Sequence, residues 1–237
     1  MADIEAKIKS IKWYHSIDLK GYMTPGIVTP EQHEAIAKHI PQDLTSMSVL
    51  DIGCADGYYS FLAERRGASR VLAIDPFPWQ GGKTEPFRDI SPQGILIAKE
   101  ILNSKIEYRR MGVYDLGRLA EAFDVVFFFG VYYHLKDPIL GFEMAAEKCR
   151  KLLIVEGDAL FTDLRIMVYE GPPYGDETKA WRLSKGVIYG LLQKAGFTNI
   201  TLPLQTLNSL YSIGAIGPGQ DLMWTYNCGR ILWRCWR

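Results

Sequence analysis

Residues 48 to 57 read S-V-L-D-I-G-C-A-D-G, and residues 71 to 75, V-L-A-I-D, repeat the pattern of an apolar run closed by an acid. The first run stops at Asp51, turns through Gly53, Ala55 and Gly57, and enters Y-Y-S-F-L-A-E-R-R. That order predicts a strand, a tight turn and a helix, with Gly67 ending the helix. A turn of such small residues lets bare backbone approach a bound molecule. Asp75 lies 22 residues after Gly53, where the second strand of a doubly wound sheet presents an acceptor to ribose hydroxyls. The two strands together predict a nucleoside site.

A pyrophosphate binder carries G-x-G-x-x-G on this turn, whereas the spacing here is D-x-G-x-A-x-G. The leading acid, Asp51, repels phosphate and suits a cationic ligand. The stretch resembles the first motif of the class I S-adenosylmethionine-dependent methyltransferases, with Ala55 in place of the usual middle Gly, and Asp75 matches their ribose-binding position. A purely structural Gly-rich turn is the competing reading of the same residues. Two further segments sharpen the resemblance: G-V-Y-Y-H-L-K-D-P from Gly130, and K-W-Y-H-S-I-D-L with I-V-T-P near the N-terminus. They are similar to elements of the branch that contains the tRNA wobble-uridine carboxymethyltransferases, over about Ile11 to Leu202.

The resemblance implies an α/β fold: a Rossmann-like, doubly wound, seven-stranded sheet, mostly parallel with an antiparallel last strand. Residues 1–45 are then expected to form an N-terminal helical lid and residues 46–237 the methyltransferase domain. It implies S-adenosyl-L-methionine as cofactor, with Tyr133 beside its reactive end. Two departures from the tRNA enzymes stand out. The sequence starts only about 50 residues before the first motif, and its C-terminal hairpin does not match theirs. In the tRNA enzymes those portions carry part of the cationic contacts to a carboxylated cofactor, so ordinary S-adenosylmethionine is expected here.

Composition sets the outer limits. A chain of 237 residues with 48% hydrophobic content suffices for one well-buried domain. Its 27 basic and 27 acidic residues cancel, so no global field draws it to nucleic acid or anionic membrane, and a small-molecule substrate is favoured. A local basic patch for nucleic acid stays open. Cys54, Cys149, Cys228 and Cys235 show no C-x-x-C pairing and no metal-ligand rhythm with the histidines, which fits reduced thiols in a cytoplasmic protein. The N-terminal M-A-D-I-E-A-K-I-K-S has no signal-like apolar run, and no stretch reaches membrane-spanning length. F-D-V-V-F-F-F-G suits a strand buried on both faces.

Along the chain, a helix is expected over about 4–13 and another from Thr29, whose T-P-E-Q forms a capping box with Pro30 in the first turn. Ser91 and Pro92 open a helix to about Asn103, I-E-Y-R-R is a third strand, Phe123–Phe129 a fourth and L-L-I-V-E a fifth. The segment around Trp79, broken by Pro and Gly, reads as a lid, and residues 157–182 read as a long irregular binding segment. Ser184 caps a further helix ended by Gly196, and two strands, F-T-N-I-T-L-P-L and M-W-T-Y-N-C-G-R-I-L-W-R-C-W, close the chain as a hairpin. The aromatic C-terminus either finishes the sheet or pairs with a second chain, which leaves a homo-oligomer open.

In an open α/β sheet the ligand sits beyond the carboxyl ends of the strands. That places the cofactor on Asp51, Gly53, Cys54, Ala55, Asp56 and Gly57, its ribose on Asp75 with Pro76 alongside, its adenine near Gly112, Val113 and Tyr114, and its methionine end near Phe129, Gly130 and Tyr133. Asp56 either meets the cofactor's amino group or caps the following helix. Methyl transfer needs alignment more than catalytic groups, so oxygen is the expected acceptor atom, with His134 or His15 as an optional base. Both histidines also read as packing residues, and His33 and His39 read as solvent-facing. Trp13, Tyr14 and Tyr132 are expected to wall the substrate, and Arg165 and Arg182 to meet an anionic one. Glu156 and Asp158 could instead hold a metal, but no third ligand stands at a telling spacing, and no metal is expected. The competing functions are a tRNA wobble-uridine modifier and a non-catalytic partner subunit that keeps the fold.

Overall fold

The computed structural model describes residues 2–77, 89–170, 179–217 and 220–237, with backbone alone for 2–3 and 207–227. The N-terminal part consists of α1 (Ala2–Lys9), a small antiparallel pair β1 (Asp18–Leu19) and β2 (Tyr22–Met23), and α2 (Pro30–Ala37). The main body follows as β3 (Ser48–Ile52), α3 (Tyr58–Arg65), β4 (Arg70–Asp75), α4 (Gln93–Leu102), β5 (Glu107–Arg110), β6 (Phe123–Phe129), α5 (Pro138–Glu147) and β7 (Cys149–Leu160). It ends with β8 (Met167–Tyr169), β9 (Trp181–Ser184), α6 (Lys185–Lys194), β10 (Asn199–Gly217) and β11 (Gln220–Trp236).

One sheet carries the fold, in the order β10-β11-β7-β6-β3-β4-β5. The five strands from β7 to β5 are parallel, and β11 is antiparallel to both β7 and β10. Alternate residues of the central strands feed two hydrophobic cores, as a period of two requires. Leu50, Ile52, Val126 and Phe128 join one core, while Val49, Val125, Phe127 and Phe129 join the other. Ile8, Trp13, Ile17 and Leu19 pack into that second core, so the N-terminal segment is seated on the sheet's own packing.

The expected α/β architecture, its mostly parallel sheet and its antiparallel C-terminal hairpin are present. The capping box is present too: Gln32 N donates to Thr29 Oγ1 at 3.4 Å and Thr29 N to Gln32 Oε1 at 2.8 Å. Several expectations are corrected. The first helix stops at Lys9 because the Trp13 indole turns back to donate to the Ile8 carbonyl at 2.8 Å. α5 went unforeseen, although Asp137 caps it through Leu140 N and Pro138 opens it. Residues 157–182 are not irregular throughout. β7 runs on to Leu160 because β11 pairs with it along that length, and β8 and β9 add two short strands at its end. The Trp79 lid and residues 171–178 lie outside the described residues.

His33 faces the core rather than solvent. It is fully buried, with its ring stacked on Tyr58 at 3.7 Å between centroids. His39 lies just past α2, partly buried. No described helix is long and apolar enough to cross a membrane.

Candidate active site

The turn after β3 is held open by backbone geometry. Gly53, Ala55 and Gly57 all have positive φ, at 76°, 46° and 88°. Gly53 N and Cys54 N both donate to the Ile74 carbonyl, at 2.8 and 3.1 Å, which fastens the turn to the end of β4. A Cβ on Gly53 would stand 2.4 Å from Val131 Cγ2, so glycine is what lets the loop after β6 close on the turn. Ala55 tolerates its left-handed conformation, worth about 1–2 kcal/mol against an L residue, where its amide donates to Asp75 Oδ2 at 3.0 Å. Phe77 N donates to the other carboxylate oxygen at 3.3 Å. The turn and the strand tip therefore form one unit around Asp75.

Pro76 brings in the next loop, because a Cβ on Gly112 would sit 3.6 Å from Pro76 Cβ. Val113 beside it is buried. Tyr114 is largely exposed, and its hydroxyl bonds the backbone of Asp137, accepting from N at 2.7 Å. Asp51 is buried and accepts from Ser60 Oγ at 2.6 Å. Burial, with the Asp75 charge added, pushes the Asp51 carboxyl up to about 7, and burial does the same to Asp56. The Cys54 thiol, buried among all three acids, is pushed well above its ordinary range.

A second set of groups gathers where β6, β7 and β11 meet. Gly130 N donates to the Glu156 carbonyl at 2.9 Å, joining the end of β6 to β7. Arg230 on β11 grips Glu156 with Nε to Oε1 at 2.6 Å and Nη2 to Oε2, and its Nη1 donates to the Tyr133 hydroxyl at 2.9 Å. Burial raises the Glu156 carboxyl even against the Arg230 charge. Lys179 pairs with Asp158, and Arg182 with Glu170 at 2.8 Å. Burial favours protonation of Asp158, but the Arg230 and Lys179 charges outweigh it and hold its carboxyl below the ordinary range. The two acids considered for a metal are thus each taken by a cation. Tyr132 is fully buried and donates to the Asp158 carbonyl at 2.7 Å.

The N-terminal segment closes over the turn. Tyr14 N and His15 N donate to Asp56 Oδ2 at 2.6 and 2.9 Å, so Asp56 does not cap α3, whose N-cap is Gly57. His15 is buried, and its Nδ1 accepts from Tyr58 N at 3.4 Å. Burial, aided by His33, holds the His15 imidazole well below its ordinary range. Trp13 is core. Tyr14 is half-buried, and its phenol is pushed up by burial and lies in the fields of Arg230, Glu156, Asp56 and Asp75 at once. His134 is exposed at the end of a 3-10 turn, its ring 4.3 Å from that of Tyr133. Arg165 is exposed and lies against α6, 3.8 Å from where a Cβ on Gly190 would sit.

Residues 30–202 match the family model described as a methyltransferase domain. The chain belongs to the S-adenosylmethionine-dependent methyltransferases. Among the similar proteins, the tRNA U34 carboxymethyltransferase of Alteromonas mediterranea is 33% identical over 175 residues, covering 70% of this chain and 49% of that protein. The enzyme of the same name from Colwellia psychrerythraea is 32% identical over 178 residues. This chain spans about half the length of these relatives. The N-terminal domain of EvdMO1, solved with SAH and D-fucose, shares the fold with a TM-score of 0.68 at 16% identity, covering 100% of this chain and 97% of that one. Magnesium protoporphyrin IX methyltransferase (ChlM) from Synechocystis PCC 6803 does so with a TM-score of 0.50 at 15% identity, covering 86% and 75%.

The residues present fit the family's cofactor, S-adenosylmethionine, which carries a sulfonium and an ammonium. Asp51 is buried without a cation among the influences on it. A cationic ligand relieves that uncompensated negative charge. Arg230 and Lys179 escaped the sequence reading. The signal was available: an arginine inside an apolar strand, N-C-G-R-I-L-W, demands a buried acid, and E-G-D at the end of β7 supplies one.

Proposed function

We propose that this chain transfers a methyl group from S-adenosylmethionine to a small-molecule acceptor, at an oxygen, in the crevice between the Asp75 turn and the Tyr133–Arg230 wall. Residues 46–237 would form the transferase domain and residues 1–45 its lid. The observation that carries the small-molecule reading is electrostatic. Among the described residues, Arg230, Lys179 and Arg182 are paired with Glu156, Asp158 and Glu170. A polyanion gains little from charges already neutralised, and the chain as a whole has no net charge.

When bound, the cofactor supplies an activated methyl group on sulfur. The chain's own residues then do three things. Asp75 and the turn would accept hydrogen bonds from the ribose side, and the buried carboxylate of Asp51 would balance the positive charge. Tyr133, held by Arg230, and Tyr14 enclose the reacting end and exclude water. His134, exposed beside Tyr133, takes the proton of a hydroxyl acceptor; His15 is unsuited, with Nδ1 engaged and its basicity reduced by burial.

The second reading, a tRNA wobble-uridine modifier, is favoured by the 33% identity to the Alteromonas enzyme. Incubation with methyl-labelled S-adenosylmethionine against hydroxylated and carboxylated small molecules and, in parallel, bulk tRNA separates the two. Label in a small molecule supports the proposal. Label in tRNA, with tight salt-sensitive binding, replaces it. Failure to bind S-adenosylmethionine at all supports the non-catalytic partner reading.

A further inference from the structure

Asp56 sits in the glycine-rich turn after β3, yet its carboxylate is bonded to the N-terminal segment. It is fully buried, and one oxygen, Oδ2, takes the amides of both Tyr14 and His15, at 2.6 and 2.9 Å. Two residues on, the tie is repeated in the opposite sense, with Tyr58 N donating to His15 Nδ1 at 3.4 Å. His33, stacked on Tyr58 and 4.9 Å from the His15 ring, fills in behind. The neighbourhood makes room for this carboxylate. A Cβ on Gly94, at the start of α4, would lie 2.0 Å from Asp56 Oδ1.

The residue so fastened is Tyr14, whose phenol lies in the fields of Arg230, Glu156, Asp56 and Asp75. Burial keeps that phenol protonated, so it stays a hydrogen-bond donor at working pH. We propose that Asp56 is a positioning residue: through the Tyr14 and His15 amides it sets the Tyr14 hydroxyl against the acceptor, and it is not a ligand of the cofactor's ammonium group. The inference rests on methyl transfer taking place in this crevice. It extends that reading by making the turn that binds the donor also build a wall of the acceptor site.

The clamp needs an acceptor oxygen at Oδ2, whereas an ammonium ligand needs the negative charge. Asp56→Asn therefore separates the two roles, and Asp56→Ala removes both. The probe is S-adenosylhomocysteine measured by calorimetry, beside hydrogen exchange of the Tyr14 and His15 amides and the 19F resonance of a fluorinated phenylalanine placed at position 14. The expected result for Asp56→Asn is parental exchange, a parental 19F line and affinity for the probe within about threefold of the parent. Asp56→Ala is expected to shift the 19F line and to lose about tenfold or more in amide protection. Unchanged protection in Asp56→Ala overturns the proposal. So does Asp56→Asn that keeps protection but loses about tenfold in affinity, which marks a cofactor ligand. Should Asp56→Ala not fold, the affinity of the Asn variant decides. Failure of the parent itself to bind the probe sinks the methyltransferase reading while the exchange result still reports on the clamp.

Discussion

Arg230 reaches from β11 to Glu156 on β7 with two parallel hydrogen bonds, Nε to Oε1 at 2.6 Å and Nη2 to Oε2. Glu156 is 2% exposed, while the Arg230 side chain keeps 35% of its exposure. Removing the arginine strands a buried carboxylate. Arg230→Met should therefore destabilise the fold by about 3 kcal/mol, the low end for a broken buried pair because the guanidinium is partly hydrated. The double variant Arg230→Met with Glu156→Leu should recover most of that loss without recovering turnover, since Tyr133 has lost its donor. Urea denaturation read beside methyl transfer checks both halves, and stability left unchanged by Arg230→Met alone would contradict the pair's role.

The turn offers two opposite substitutions. Ala55 holds φ 46°, so Ala55→Gly should cost nothing and gain up to about 1 kcal/mol, the relief of left-handed strain less the added chain entropy. Gly53→Ala should lose about 2 kcal/mol or more, because φ 76° is combined with a Cβ 2.4 Å from Val131 Cγ2. Thermal melts of the two variants should move in opposite directions, and a common direction would rule out the strained-turn account.

The acids of the turn make the apo protein sensitive to pH. Burial raises Asp51 and Asp56 from their unfolded value of 3.8 to about 7, so the folded state holds more protons than the unfolded one between those limits. Their contribution to stability is complete below the unfolded value and declines as pH rises through about 7, with the pair and Asp75 titrating together. A cationic cofactor favours the ionised form of Asp51, so its binding releases protons and tightens as pH rises towards 7. Calorimetry in two buffers of different ionisation enthalpy measures that release directly, and equal heats in both would contradict it.

Much of this was legible in the residues. D-I-G-C-A-D-G and V-L-A-I-D carried the turn and strand tip because local backbone needs, positive φ and an acid at a strand end, leave a local mark. Arg230 was not legible in the same way, because its meaning depends on β11 pairing with β7, a contact between segments more than 70 positions apart. His33 was misjudged for a related reason: a short helix with mixed residues does not show which face packs, and Tyr58 on α3 supplied the partner. The β8–β9 pair escaped notice because both strands are too short for periodicity to register.

The two histidines should behave differently. His134→Gln is expected to lower kcat about a hundredfold with little change in cofactor affinity, and to remove the acidic limb of the pH profile. His15→Asn should instead lower stability, through the Tyr58 amide it serves, and leave the shape of the profile intact. A profile altered by His15→Asn and untouched by His134→Gln would reverse the assignment.

The account stands on S-adenosylmethionine binding at the Asp75 turn, and titration calorimetry with S-adenosylhomocysteine tests it most directly. Saturable one-site binding to the parent is predicted, weakened about tenfold or more in Asp75→Asn, which keeps one oxygen for the Ala55 amide but halves the acceptor offered to the ribose. No binding by the folded parent, or equal affinity in the two proteins, would contradict it.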